Sequence, residues 1–159
     1  MYSVLRHYFP YRYDGIFENG LIHGKGRYEW ANGTVYTGEW RMGTINGIGK
    51  YSWKDGSWYQ GEVKDGMRHG KGVFCQPDPN SYARYEGTFR NGRRHGTGTL
   101  YYSEDKASYY AGDWVDGVRH GEGVIVYKNE NTYTGTWENG LKSGYGEMHW
   151  VEENQAYKG

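Results

Sequence analysis

Four of the six histidines recur in one phase: His23, His69, His95 and His120 each stand directly before a Gly-x-Gly. Asn46 and Ser143 take the same place in two further copies. A histidine column has the residue type for metal binding. Its spacing is wrong, because successive copies lie two strands apart, roughly 9–10 Å in a sheet, whereas zinc holds its ligands at about 2 Å. The column is therefore expected to pack turns and strands. The runs Gly20-Leu-Ile-His-Gly24-Lys25 and Gly66-Met-Arg-His-Gly70-Lys71 look faintly like phosphate loops. A Walker loop needs one more residue between the glycines and a Ser or Thr after the lysine, and here Gly26 and Gly72 follow. Carboxylates recur at Glu39, Glu62 and Asp113, out of phase with the aromatics, and are expected as solvated charges on the outer face. The readings converge on no catalytic residue, no cofactor and no metal.

Two features could carry binding. Arg68-His69, Arg93-Arg94-His95 and Arg119-His120 align as a basic stripe near one set of turns. Such a stripe suits an acidic helix, an acidic tail or lipid phosphates; equally, it suits solvated turns. On the binding reading, Arg94→Glu with Arg119→Glu spares the fold and weakens a partner contact. The second feature is a column of rings: Tyr36, Trp40, Tyr59, Tyr85, Phe89, Tyr110, Trp114, Tyr133 and Trp137. The rings are first of all packing, and some are expected to floor a concave groove. Binding hot spots favour aromatics and arginine, so these nine rings with Arg94 and Arg119 are the candidate partner-binding residues.

The elements that hold these residues follow from an internal period. The pattern Tyr-x-Gly-x-aromatic-x-x-Gly-x-x-x-Gly-x-Gly starts at Tyr13, Tyr36, Tyr59, Tyr85, Tyr110 and Tyr133, and a seventh copy opens at Tyr157. Tyr36, Gly38 and Trp40 alternate, so they share one face of a strand. Gly43 permits the positive φ of a reversal. Gly47, Gly49, Tyr51 and Trp53 share a face of the next strand, and Asp55-Gly56 turns the chain into the following copy. A ring on one strand can cover the glycine backbone of its neighbour. The fold expected is all-β: an elongated, single-layer antiparallel meander of six full hairpins plus a truncated seventh, spanning residues 13–159. Twelve strands at roughly 4.8 Å give a rod of about 55 Å. Residues 1–12 are expected to cap its first edge, through Tyr8-Phe9-Pro10-Tyr11.

Composition excludes other classes. Glycine is 27 of 159 residues and aromatics are 18%, while 19 basic residues balance 19 acidic ones. Zero net charge argues against a nucleic-acid binder. A mean hydropathy of −1.00, with no long apolar run, excludes a transmembrane helix. MYSVLRHYFPYRYDG lacks the apolar stretch of a secretory signal. Cys75, alone, forms no internal disulfide. Three irregularities stand out: Val63 replaces a ring; the joint Cys75–Arg84 is longer and carries Pro77 and Pro79, so a kink or protruding loop is expected; and the last copy stops part-way, so either the chain continues or a partner covers the edge.

The repeat resembles the MORN family, through YTGEWRMGTINGIGKY at 36–51 and YEGTFRNGRRHGTGTL at 85–100. That resemblance implies an elongated, twisted, open sheet used mainly to bind other proteins. The order of the irregular copies (Val63, the joint after Phe74, and Trp150-Val-Glu-Glu-Asn154 before Tyr157) is similar to that of family members in the radial spoke head of motile cilia. It implies a non-enzymatic scaffold in the cytoplasm and ciliary axoneme, with radial spoke or axonemal proteins as partners. A membrane or phosphoinositide adaptor, with lipids as partner, and the accessory region of a larger enzyme are the alternatives.

Overall fold

Thirteen strands form one sheet in which every strand pairs antiparallel with the next in sequence. The computed structural model describes residues 11–159; the proposed capping segment, apart from Tyr11 and Arg12, lies outside the described residues. The strands are β1 Arg12–Glu18, β2 Leu21–Glu29, β3 Val35–Arg41, β4 Thr44–Ser52, β5 Trp58–Lys64, β6 Met67–Gln76 and β7 Ala83–Arg90. They continue as β8 Arg93–Tyr101, β9 Tyr109–Val115, β10 Val118–Val126, β11 Thr132–Glu138, β12 Leu141–Trp150 and β13 Gln155–Lys158. The meander is the expected one. Its strands, mostly seven to ten residues, are longer than the repeat pattern alone requires.

One line of glycine crosses the whole sheet. From Gly15 on β1 to Gly146 on β12, the two glycines of each hairpin face each other and the glycines of the neighbouring hairpins. Gly159 continues the line by exchanging two backbone hydrogen bonds with Gly146, at 2.8 and 3.1 Å. Over each glycine pair lies the ring of that copy's tyrosine: Tyr36 over Gly38 and Gly49, Tyr85 over Gly87 and Gly98. A methyl on any of these glycines would enter the ring. Each hydroxyl then donates to the carbonyl three residues on, as Tyr36 does to Glu39 at 3.1 Å and Tyr85 to Thr88 at 3.0 Å. The tyrosine thus lies flat along its own strand. Tyr36, Tyr59, Tyr85 and Tyr110 are at most 1% exposed, although the sheet has no second layer.

Beyond the glycine line each hairpin bulges. Between Gly38 and Trp40 on β3 there is one residue; between their partners Gly49 and Ile45 on β4 there are three. Gly47 takes φ 115° within the bulge. Here the repeated carboxylates have a structural duty. They do face away from the rings, yet Glu39, Glu62 and Asp113 accept the bulge N–H of Ile48, Lys71 and Glu122 at 3.1, 2.8 and 3.0 Å. In two other copies Thr88 and Thr136 donate from the same position to bulge carbonyls. The charges are therefore caps for otherwise unpaired amides.

The turns divide differently from expectation. The two-residue I′ turn, with both central residues at positive φ, sits inside each copy, as at Met42 (φ 49°) and Gly43 (φ 78°) or Asn91 (49°) and Gly92 (81°). Asn32-Gly33 and Asp55-Gly56 belong to longer joints, where only the glycine is left-handed and the Asn or Asp side chain accepts the N–H of Thr34 or Ser57, both at 2.9 Å. The Pro77–Tyr82 insertion is a protruding loop without a kink in the ladder, since Gln76 and Ala83 still pair at its base.

Two predictions follow from the ring-over-glycine packing. Gly98→Ala should destabilise the sheet by about 1–3 kcal/mol through overpacking, read as a lower denaturant midpoint, whereas exposed Thr37→Ala changes it by less than about 0.5 kcal/mol. Burial pushes the hydroxyls of Tyr51, Tyr59, Tyr85 and Tyr110 up to about 12, from an ordinary value of 10.0. Above pH 10 the unfolded chain releases protons that the folded chain keeps. The tyrosine contribution is therefore complete below pH 10 and is lost as pH rises towards 12. Circular dichroism should show unfolding in that window, coincident with the near-ultraviolet absorbance of tyrosinate.

Candidate functional site

The tyrosine face carries three parallel columns, and their accessibility decides what each can do. The tyrosines form the first. The second is Trp40, Val63, Phe89, Trp114 and Trp137, each at most 7% exposed. The two interlock edge to face. Tyr85 meets Phe89 of its own copy at 5.0 Å and Trp114 of the next at 5.4 Å. Tyr110 likewise meets Trp114 at 5.1 Å and Trp137 at 5.2 Å. Trp114 and Trp137 donate from Nε1 to the carbonyls of Gly98 and Gly123, at 3.0 and 3.2 Å. The buried Trp40 Nε1 has no partner among the described residues. All nine candidate rings (Tyr36, Trp40, Tyr59, Tyr85, Phe89, Tyr110, Trp114, Tyr133 and Trp137) lie in these two columns. Burial assigns them to packing and leaves them little surface to offer.

The third column is half-exposed, and sequence reasoning did not single it out. It consists of rings at the ends of the longer strands, Trp30, Trp53, Tyr102, Tyr127 and Trp150, with Gln76 in the same place in the third copy. Tyr51 and Trp53 stack at 5.7 Å with planes 12° apart, and Trp30 stacks on Tyr51 at 6.2 Å. The signal was present, since Tyr28, Trp30, Tyr51 and Trp53 repeat with the period, but phase alone could not say which column the strand ends leave open.

The basic stripe is drawn into this face. Arg94 lies 4.3 Å above the ring of Trp114 and 5.8 Å from that of Tyr85, and its Nη2 donates to the carbonyl of Gly117 at 2.9 Å. Arg119 repeats this on Trp137 at 4.4 Å and the carbonyl of Gly140 at 3.0 Å. Arg68 does so on Phe89 at 5.4 Å and the carbonyl of Gly92 at 2.7 Å. Each arginine clamps its copy to the next. The main chain adds a second hook, because Gly92, Gly117 and Gly140 donate their N–H to the carbonyls of Arg68, Arg94 and Arg119, all at 2.9 Å. In the first two copies Ile22 and Ile45 hold the same place. Burial pulls the Arg68 and Arg94 guanidiniums below the usual arginine value. The expectation that Arg94→Glu and Arg119→Glu spare the fold is thereby corrected: both cations are packed on rings and bonded to the turn of the neighbouring copy.

The histidine column also bridges copies. His23 and His95 accept from Nδ1 the N–H of Met42 and Asp116, each at 3.4 Å, and Asn46 accepts that of Asp65 at 3.0 Å. The opposite face of the sheet has its own concavity of about 720 Å³, over β4–β8. Trp58 lies there, with Lys50 at 5.3 Å and Arg84 at 5.7 Å from its ring. Arg84 pairs with Glu86 at 2.7 Å and Lys106 with the same carboxylate at 3.0 Å.

Arg94→Glu is expected to remove about 2 kcal/mol of stability, through loss of a desolvated cation–π contact and its hydrogen bond. Arg93→Glu, at an exposed position on the same turn, should leave the melting temperature unchanged; thermal unfolding compares the two.

Two comparisons bear on the whole array. The MORN repeat profile matches residues 13–35, 36–58, 59–78, 85–104, 110–132 and 133–154. A search of curated proteins finds no match.

Proposed function

The chain belongs to the MORN-repeat family, and on that premise we propose that it is a non-enzymatic scaffold of the motile cilium, a subunit of the radial spoke head or of a neighbouring axonemal assembly. Family membership by itself points to an interaction module, for protein partners or membrane surfaces. The finer reading rests on the order of irregular copies, Val63, the long joint after Phe74 and the Trp150–Asn154 joint, which resembles that of radial spoke head protein 10 homologue B. Its partners are then radial spoke or axonemal proteins, and it acts by shape.

The observation that carries the scaffold reading is the unbroken pairing of thirteen strands, each paired only with its sequence neighbours. Such an array is a long ordered surface whose stability is a sum over neighbouring units, with both sheet faces open to partners. The half-exposed rings of Trp53, Phe74, Tyr102 and Tyr127 supply the rigid aromatic area that protein partners favour.

Fractionation of motile cilia from cells that express the tagged chain tests the placement. The chain should stay with the axoneme after detergent removes the membrane, and leave with spoke proteins in strong salt. Release by detergent alone would favour a membrane adaptor, and absence from cilia would overturn the ciliary role.

A further inference from the structure

The half-buried arginines of the tyrosine face lack anions. Among the described residues no carboxylate lies within ion-pair distance of Arg68, Arg94 or Arg119. Each spends one N–H on a glycine carbonyl out of the five that a guanidinium offers. The three also repel one another, since Arg68 and Arg119 both act on Arg94 to lower its affinity for its proton, adding to its burial. Desolvated cations of this kind are normally paired.

They line a groove. One concavity of about 390 Å³ has Arg68, Arg94, Phe74 and Leu100 on its walls, with Arg93 at the rim. A second, of about 530 Å³, adjoins it through Arg68 and Phe74 and extends to Tyr51 and Trp53. Asp55, the carboxylate lining it, is held by the hydroxyl and N–H of Ser57 at 2.6 and 2.9 Å. The groove therefore mixes apolar rings with cations, Arg68 lying 5.1 Å from the ring of Phe74, and it runs across the strands.

We propose that this groove docks an acidic amphipathic helix of a partner protein, laid across the strands with one carboxylate opposite each arginine. The proposal rests on the scaffold reading and names the chemistry of its partner. The arginines recur once per copy, every two strands, about 9–10 Å apart. Seven residues of α-helix rise about 10.5 Å, so carboxylates seven residues apart keep step with Arg68, Arg94 and Arg119. The floor is made of rings and guanidiniums and presents no ladder of free backbone groups. An extended segment would leave its own backbone unpaired there, whereas a helix satisfies its backbone internally. The apolar face of that helix meets Trp53, Phe74 and Leu100.

The probe is a 21-residue leucine-faced synthetic helix with Glu at three positions seven apart, titrated into the full chain and followed by fluorescence anisotropy. It should bind about tenfold or more tightly than the same peptide with Gln at those positions, and added salt should narrow the gap. Arg93→Glu, which leaves the packing alone, should weaken the Glu peptide several-fold, and Lys71→Gln on the opposite face should not. Equal affinity for the Glu and Gln peptides overturns the proposal. So does binding to phosphatidylinositol-bisphosphate vesicles without binding to the peptide. Because the readout varies the peptide, instability of an arginine variant does not affect it. Axonemal retention without peptide discrimination would remove the groove chemistry and keep the scaffold; discrimination by a chain absent from cilia would do the reverse.

Discussion

A tyrosine ring lying flat on paired glycines is the contact on which the rest of the molecule depends. A single-layer sheet has no opposing layer to bury its side chains, so it must bury them on its own backbone. Only glycine lets a ring approach that closely, and the ring in return shields backbone that glycine leaves bare. Because the glycines of adjacent hairpins also face one another, the arrangement repeats without interruption from β1 to β12. The bulge beyond the glycines, and the Glu, Asp or Thr that caps it, follow from the tyrosine hydroxyl reaching the carbonyl at that point.

Coupling between copies is built from a few contacts repeated in step: an edge-to-face ring pair, a turn N–H on a neighbouring carbonyl, and an arginine stacked on the next ring. These contacts vary along the chain. Ile22 and Ile45 serve the first two copies, and arginines serve the next three. At Val63 the ring ladder is interrupted, though the side chain is still buried at 3% exposure. In the first two copies the tyrosine face is thus apolar at this column, whereas in copies three to five it is cationic. A partner can read that polarity along an otherwise periodic surface.

The same packing divides the surface between stability and recognition. Aromatic residues in the two inner columns are consumed by the fold, and those at strand ends remain half-open. The arginines belong to both: each gives an N–H to the turn of the next copy, and Arg68 and Arg94 also line the groove. A scaffold with this construction recognises partners through groups whose positions are set by packing, which lowers the entropic cost of docking.

The repeat period, the all-β class, the antiparallel order and the tyrosine–glycine pairing were all legible in the sequence, because each is a local pattern of spacing and residue type. Family membership was legible for the same reason. Three matters depended on tertiary structure. Glu39 and Glu62 read as solvated charges until the bulge showed which amides they cap. Asp55-Gly56 read as a tight hairpin turn between copies, but it belongs to a longer joint in which only the glycine is left-handed. Arg94 and Arg119 read as a stripe of turn charges, and the nine rings as a groove floor. Phase locates a side chain on a face, but depth on that face depends on where the neighbouring copy lands. Those relations span about two dozen residues, and only the register of the folded sheet decided them.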